Sequence, residues 1–251
     1  KETVYVAAEG KKDLPKVFGQ LTKRDGSFLV GRNAVPAGET FDWNSLKGKD
    51  VLGGRQGGMP AMTLEYVIKK HGLEIGTGPD QVNVRYDIEF NNMTAAFTGG
   101  TGDYVTIFEP TATSIEREGK GHIVASVGEA ASEVPFTTFM ANDSYIAKNR
   151  DRLKGFLRAV MKGYEFIISA DIEEVIDSLI GSFDAFTRDD IRASVLSYKR
   201  IDAWMNTPVM QEADYNRLID VITQAGTLDK SVPFESIVDN SLALEVMSEK
   251  K

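Results

Sequence analysis

The sequence predicts an α/β fold, with strands and short helices alternating over residues 49–128 and helices alone after residue 141. Three observations carry this. Short apolar runs at 50–52, 104–108 and 122–127 are each separated by a helix-sized stretch, the rhythm of a mostly parallel sheet. Glycine and proline punctuate the ends of these runs. Beyond residue 150, apolar residues recur at spacings of three and four, the period of a helix face.

Taken in order, residues 4–8 and 17–21 are short strand candidates. Arg24-Asp25-Gly26-Ser27 is a turn, because Asp-Gly tolerates positive φ, and residues 27–30 return as a strand. Pro36 and Gly38 mark residues 33–40 as a loop. Residues 50–52 are a strand, 53–58 a glycine-rich loop and 60–71 a helix stopped by Gly72. Pro60 suits the first helical turn, where its missing N–H has no intrahelical partner in any case. Residues 81–90 read as a strand with mixed faces, 92–97 as a short helix, 104–108 as a buried strand, 111–118 as a helix and 122–127 as another strand. Residues 136–141 form one more strand. Leu153, Phe156, Leu157, Val160, Met161, Tyr164 and Ile168 then define one helix face. Helices around Val175–Ile180, Ile191–Tyr198 and Tyr215–Ile222 follow, the last capped by Gly226. The only compositional boundary lies near residue 135.

The chain has 251 residues, 42% of them hydrophobic, enough for one large domain or two small ones. With 29 Lys+Arg against 37 Asp+Glu, the net charge of −8 argues against nucleic acid as the main partner. The absence of cysteine removes disulfides, thiolate nucleophiles and Cys-ligated metal or iron–sulfur sites. Two histidines, His71 and His122, do not make a multi-histidine metal site. No apolar run is long enough to span a membrane. The opening at Lys1, with no export signal, is what a piece cut from a longer protein is expected to show.

The strongest local signal is Gly53-Gly54-Arg55-Gln56-Gly57-Gly58-Met59-Pro60 between a strand and a helix. Bare backbone N–H groups and the positive end of a helix dipole suit an anion or a polar ligand head. Arg55 could add a bidentate contact to a carboxylate, sulfonate or nitrate. It is neither a P-loop, since no Lys-Ser/Thr pair follows, nor G-x-G-x-x-G. A tight strand-to-helix turn without ligand is the other reading. Phe108-Glu109-Pro110 ends a strand where open α/β sheets bind ligands, so Glu109 is either a site carboxylate or a cap on the next helix. No G-x-S-x-G nucleophile elbow is present. His71 reads as a helix C-terminal histidine and His122 as structural. Trp43, Trp204 and most phenylalanines read as core, with Phe108 as the exception beside Glu109.

Residues 20–32 (Gln-Leu-Thr-Lys-Arg-Asp-Gly-Ser-Phe-Leu-Val-Gly-Arg) resemble a segment of the substrate-binding proteins of ABC importers, of the nitrate/sulfonate/taurine or NMT1/THI5-like type. The likeness continues through Leu46-Lys47-Gly48-Lys49, the 53–60 loop with residues 62–67, residues 102–110, and Val134-Pro135-Phe136-Thr137. It extends to residues 198–204 and to Ala225-Gly226-Thr227-Leu228, so it spans the chain. It departs at the front, where members of the family carry two further βα units.

The resemblance implies a two-lobed periplasmic-binding-protein type II architecture with lobe I incomplete. Residues 1–45 and 136–251 would belong to lobe I, and residues 46–135 would form lobe II. It implies a ligand held near Arg55, Gly57, Gly58 and Met59, with Phe108 and Glu109 on the cleft wall and Gln20, Thr22, Thr137 and Thr138 opposite. An acidic Glu109 would suit a solute that also carries an amine. The function implied is non-catalytic capture of a small polar solute, without cofactor or metal. Nitrate, an alkanesulfonate, taurine and a thiamine-related pyrimidine all fit. The lobes would close by a hinge and deliver the solute to a permease and its ATPase. The setting would be extracytoplasmic, in the periplasm or lipid-anchored on the outer face of the membrane. The related pyrimidine-synthesis enzymes use a cysteine-rich motif that this chain lacks; a sensor module is the third reading. With its front units absent, the chain is expected either to self-associate through lobe I or to borrow contacts from a neighbour.

Overall fold

In a computed structural model, which describes residues 1–10, 12–230 and 232–249, the chain runs α1 (Glu2–Ala8), β1 (Pro15–Thr22), β2 (Ser27–Gly31), β3 (Asp50–Leu52), α2 (Met59–Lys70), β4 (Asn83–Arg85), α3 (Met93–Thr98), β5 (Tyr104–Phe108), α4 (Thr111–Arg117), β6 (His122–Ser126), α5 (Val127–Ala131) and β7 (Thr137–Asn142). Helices follow: α6 (Asp143–Lys148), α7 (Arg150–Ser169), α8 (Ile172–Leu179), α9 (Arg188–Arg200), α10 (Glu212–Gln224), α11 (Phe234–Ile237) and α12 (Ser241–Ser248). The chain divides into two units. Lys1–Arg24, Glu133–Val175 and Asp202–Lys251 form the first; Asp25–Ser132 and Ile176–Ile201 form the second.

In the second unit five strands pair in the order β4-β3-β5-β2-β6. β3 is parallel to both β4 and β5, while β2 runs antiparallel to β5 and β6. β2 is buried along its whole length, because Phe28, Leu29 and Val30 have sheet neighbours on both sides and helices over both faces. One core packs Leu29, Trp43, Leu46 and Val51 against Leu64, Val67 and Ile68 of α2. Trp43 is a core residue, its ring stacked on His71 at 5.3 Å. His71 is the C-terminal cap of α2, and α2 begins with Pro60 in its first turn.

The sequence grouping of residues 25–45 and 176–201 with lobe I differs from this division. β2 carries residues 27–31 into the second sheet, where they complete pairing with β5 and β6. α9 follows for an electrostatic reason. Asp190 is buried, closes a capping box with Thr187, and takes a two-pronged hydrogen bond from Arg117 of α4 at 2.9 and 3.1 Å. Neighbouring Arg117 and these N–H donors hold the Asp190 carboxyl below its ordinary range against the opposing effect of burial.

In the first unit β1 pairs antiparallel with β7, and α7 and α12 cover the pair. Gly19 permits this approach, since a Cβ there would lie 2.6 Å from Leu157 Cδ2. Phe18, Leu153 and Leu157 pack with Leu242, Ala243 and Val246. Only part of the apolar face of α7 is used: Phe156 and Ile168 are 42% and 46% exposed, along with Met140, Phe166 and Leu244.

Two elements differ from their sequence reading. Residues 4–8 are helical, not a strand. Val-Tyr-Val is too short a run for period to decide, and the helix buries Thr3 and Val4 while Tyr5 Oη reaches Thr227 Oγ1 at 2.9 Å. The stretch 81–90 keeps only the three strand residues of β4, as many as β3 offers it. Upstream, Gln81 Oε1 accepts the Gly78 N–H; downstream, Arg85 forks onto Asp87.

Asp190→Ala is expected to lower unfolding free energy by about 2–3 kcal/mol, through loss of the cap and of a charge-assisted pair. Arg117→Ala should cost about 1–3 kcal/mol, because it leaves the buried Asp190 carboxylate without its charged partner although the guanidinium itself is half in water. Urea denaturation of the two variants checks both.

Candidate functional site

Parallel pairing puts the carboxyl ends of β3, β4 and β5 on one edge of the second unit's sheet, the edge at which such sheets bind ligands. The antiparallel β2 starts there as well, with Ser27 opposite Phe108. Three segments emerge at this edge: the 53–58 loop, residues 86–90, and Glu109-Pro110.

The loop folds back by a turn in which the Gly58 N–H donates to Arg55 O at 2.9 Å. Gly54 and Gly57 have φ of +81° and +70°, a region that side chains other than glycine's adopt at a cost. Gly58 caps α2 in an extended conformation and contributes no side-chain hydrogen bond, so the first N–H groups of α2 have no side-chain cap. A Cβ at Gly58 would lie 2.9 Å from Arg55 O, so the turn itself requires that glycine, whatever it binds. Arg55 is exposed and makes no ion pair among the described residues.

At the end of β5, Glu109 is largely committed. Its Oε2 accepts the Thr113 N–H and its Oε1 the Thr113 hydroxyl, both at 2.9 Å. This is the cap on α4, the second of the two sequence readings. Burial pushes its carboxyl above the ordinary range, and the bonds from Thr113 oppose that. The Tyr198 hydroxyl joins two of the site's strands: it donates to Gly26 O at 3.1 Å and accepts the Glu109 N–H at 3.2 Å. Burial pushes the Tyr198 phenol up, so it stays a neutral donor.

Of the ten residues expected at a site, Arg55, Gly57, Gly58, Met59, Phe108 and Glu109 lie along this edge. Gln20, Thr22, Thr137 and Thr138 lie in the first unit, where the β1–β7 ladder sets Gln20 opposite Thr138 and Thr22 opposite Thr137. Thr22 Oγ1 accepts the Thr137 N–H at 2.9 Å, and Gln20 Nε2 donates to Thr22 O at 3.1 Å. Gln20 is buried, and its Oε1 has no hydrogen-bond partner among the described residues.

Sequence reasoning missed Phe90, which it placed at the end of a strand. Phe90 stands 51% exposed at the same edge, its ring centroid 6.0 Å from that of Phe108. The available signal was an aromatic residue set among polar ones, Glu89 before it and Asn91-Asn92 after it. Tyr198 was read only as part of a helix face and of the resemblance. A larger groove of about 810 Å³ runs beside the edge strand β6, past Trp43, His71 and His122, and includes none of the ten expected residues.

Asp25 anchors the start of β2 at this edge. It is fully buried; Oδ1 accepts the Ser27 N–H at 2.7 Å, and Oδ2 has no partner among the described residues. Gly128 of α5 packs so tightly here that a Cβ would lie 2.1 Å from Asp25 O. Burial raises the Asp25 carboxyl from 3.8 to about 6, against the pull of the Ser27 amide.

The family model described as NMT1/THI5 like matches residues 22–173. A Bacillus subtilis protein, YtlA, whose name describes it as a binding protein, is 40% identical over 248 residues, covering 99% of this chain and 72% of that protein. Among solved structures, the periplasmic aliphatic sulphonate binding protein SsuA of Escherichia coli superposes with a TM-score of 0.71 at 16% identity, over 96% of this chain and 78% of its own. The periplasmic nitrate-binding protein NrtA of Synechocystis PCC 6803 gives 0.71 at 16% identity, over 98% and 70%. The fold is therefore that of the periplasmic binding proteins.

Between the ordinary carboxyl value of 3.8 and about 6, the folded protein keeps the Asp25 proton that the unfolded chain releases. Stability from this group is therefore greatest below the lower value and falls as pH rises through the upper one. The full effect is roughly 3 kcal/mol. Asp25→Asn should remove it, so the variant gains on the parent by up to that amount between acid and neutral pH. Denaturant unfolding of both proteins across that range reads the difference.

Proposed function

The chain belongs to the NMT1/THI5-like family, and we propose that it is the solute-capturing component of an ABC import system, taking a small solute with an oxyanion head. The observation that carries the reading is the 53–58 loop: an exposed Arg55 with no ion pair among the described residues, beside a first turn of α2 that has no side-chain cap, at the carboxyl edge of the sheet. Arg55 supplies a planar, two-pronged cation and α2 supplies N–H groups with the positive end of its dipole. The names of the structural neighbours, sulphonate- and nitrate-binding proteins, support the same head chemistry.

Glu109 positions rather than binds. With both oxygens turned to Thr113 it braces the first turn of α4, so the solute needs no amine to answer it. The role is capture without turnover, in an extracytoplasmic setting, with delivery to a permease and its ATPase. We further propose that the chain associates with itself through the first unit, where Met140, Phe156, Phe166, Ile168 and Leu244 stand exposed.

Calorimetric titration with nitrate, methanesulfonate and taurine tests the reading. At least one should bind, and Arg55→Ala should weaken it about tenfold to a hundredfold, as expected for a lost charged contact. No binding by any of the three, or unchanged affinity in the variant, overturns it. Light scattering over a concentration series tests association. Phe156→Ser with Leu244→Ser should shift the particle toward monomer; a monomer at every concentration before substitution rules association out.

A further inference from the structure

Beside the glycine loop, the same sheet edge holds a small, partly open cavity of about 110 Å³. Phe90, Met93, Ile107 and Phe108 supply its apolar walls, and Thr94, Thr106 and Thr111 its neutral polar ones. Glu109, with both oxygens turned to Thr113, is its acidic wall, so an anionic head must lie on the loop side, away from Glu109. It adjoins the loop directly: a Cβ at Gly54 would lie 3.2 Å from Met93 Sδ and 3.7 Å from the Phe90 ring. A group held at the loop therefore has this cavity as its neighbour.

We propose that the solute carries a six-membered aromatic ring, seated in this cavity against Phe90, with its anionic head toward the loop. The inference rests on the oxyanion-binding reading and narrows it from a bare ion to a ring-bearing anion. Three observations support it. The volume is of the order that accepts one ring, since an engineered apolar cavity of about 150 Å³ takes up benzene. An inorganic oxyanion requires hydrogen-bond donors on every side, and two phenylalanines and a methionine offer none. Phe90 presents half of its ring to the outside although Met93 and Phe108 hold the rest, which is the arrangement of an aromatic shelf rather than of a core residue. Rings on such a shelf settle in offset or edge-to-face geometry with centroids 4.5–7 Å apart, the range already adopted by Phe90 and Phe108 at 6.0 Å.

The polar walls are placed for a ring edge. Thr106 Oγ1 is turned to Leu52 O at 3.3 Å, whereas the hydroxyls of Thr94 and Thr111 have no hydrogen-bond partner among the described residues. Those two hydroxyls are available to a ring heteroatom or substituent. The methionine adds a polarisable, adaptable contact to an aromatic edge.

The test keeps the head constant and changes the body. The whole chain is titrated by calorimetry with benzenesulfonate and with methanesulfonate, and Phe90→Ala and Phe90→Tyr are titrated in the same way. Benzenesulfonate should bind at least about tenfold tighter than methanesulfonate. Phe90→Ala should bring the ratio of the two affinities close to one, and Phe90→Tyr, which keeps the ring, should restore it. Far-ultraviolet circular dichroism confirms that both variants are folded, as expected for a half-exposed side chain. Equal affinities in the parent protein, or a ratio that Phe90→Ala leaves intact, overturns the ring proposal while the anion site stands. Failure of both sulfonates to bind, with nitrate failing too, overturns the anion-binding reading and this inference with it.

Discussion

The antiparallel insertion of β2 between β5 and β6 is the constraint on which the second unit depends. Without it β3, β4 and β5 form one small parallel ladder and β6 has no partner among the described strands. β2 is five residues long and buried at every position, so its register is set by burial: a one-residue slip would exchange the faces on which Phe28 and Leu29 lie. That register places Ser27 opposite Phe108 and brings the Asp25–Gly26 turn to the sheet edge that also carries the glycine loop. Tyr198 holds the arrangement from outside the sheet, with one hydroxyl serving both the turn and the end of β5.

Charge is used differently in the two units. In the second, the buried Asp190 is matched by Arg117 and a capping threonine, whereas one oxygen of Asp25 has no hydrogen-bond partner among the described residues. An unsatisfied buried carboxyl weakens the native state, and its position at the start of β2 places that weakness at the site edge. In the first unit, Lys23 pairs with both Glu133 and Asp202, and Arg24 also reaches Glu133 at 3.5 Å. These residues stand at three of the points where the chain leaves or re-enters this unit. Asp202 has φ of +50°, and Ser132, next to Glu133, has φ of +72°, so two of the three non-glycine residues with positive φ among the described residues sit at those same points. Ion pairs bring together segments that are far apart in sequence, while the backbone strain is kept to single residues at the crossings.

Sequence pattern alone determined the alternation of strand and helix from β3 to β6, the helical period of α7 and α10, and the glycine loop before α2. Each is local: an apolar run, a spacing of three or four, or a glycine-proline boundary reports on residues within one turn or one strand. The loop could be recognised as a place for a polar head because bare N–H groups at a helix start follow from composition. Tertiary structure decided the rest. It made residues 4–8 a helix, since a three-residue Val-Tyr-Val run fits either state until a neighbour claims one face. It gave residues 27–31 and 188–200 to the second unit, through pairing with β5 and the Asp190–Arg117 contact, both of which join residues 70 or more positions apart. It turned both Glu109 oxygens to Thr113 at the start of α4 and left Phe90 half-exposed beside Phe108 rather than in a strand. The physical reason is the same throughout: backbone period is written in neighbouring residues, whereas the availability of a side chain depends on which distant groups have already taken its hydrogen bonds or covered its surface.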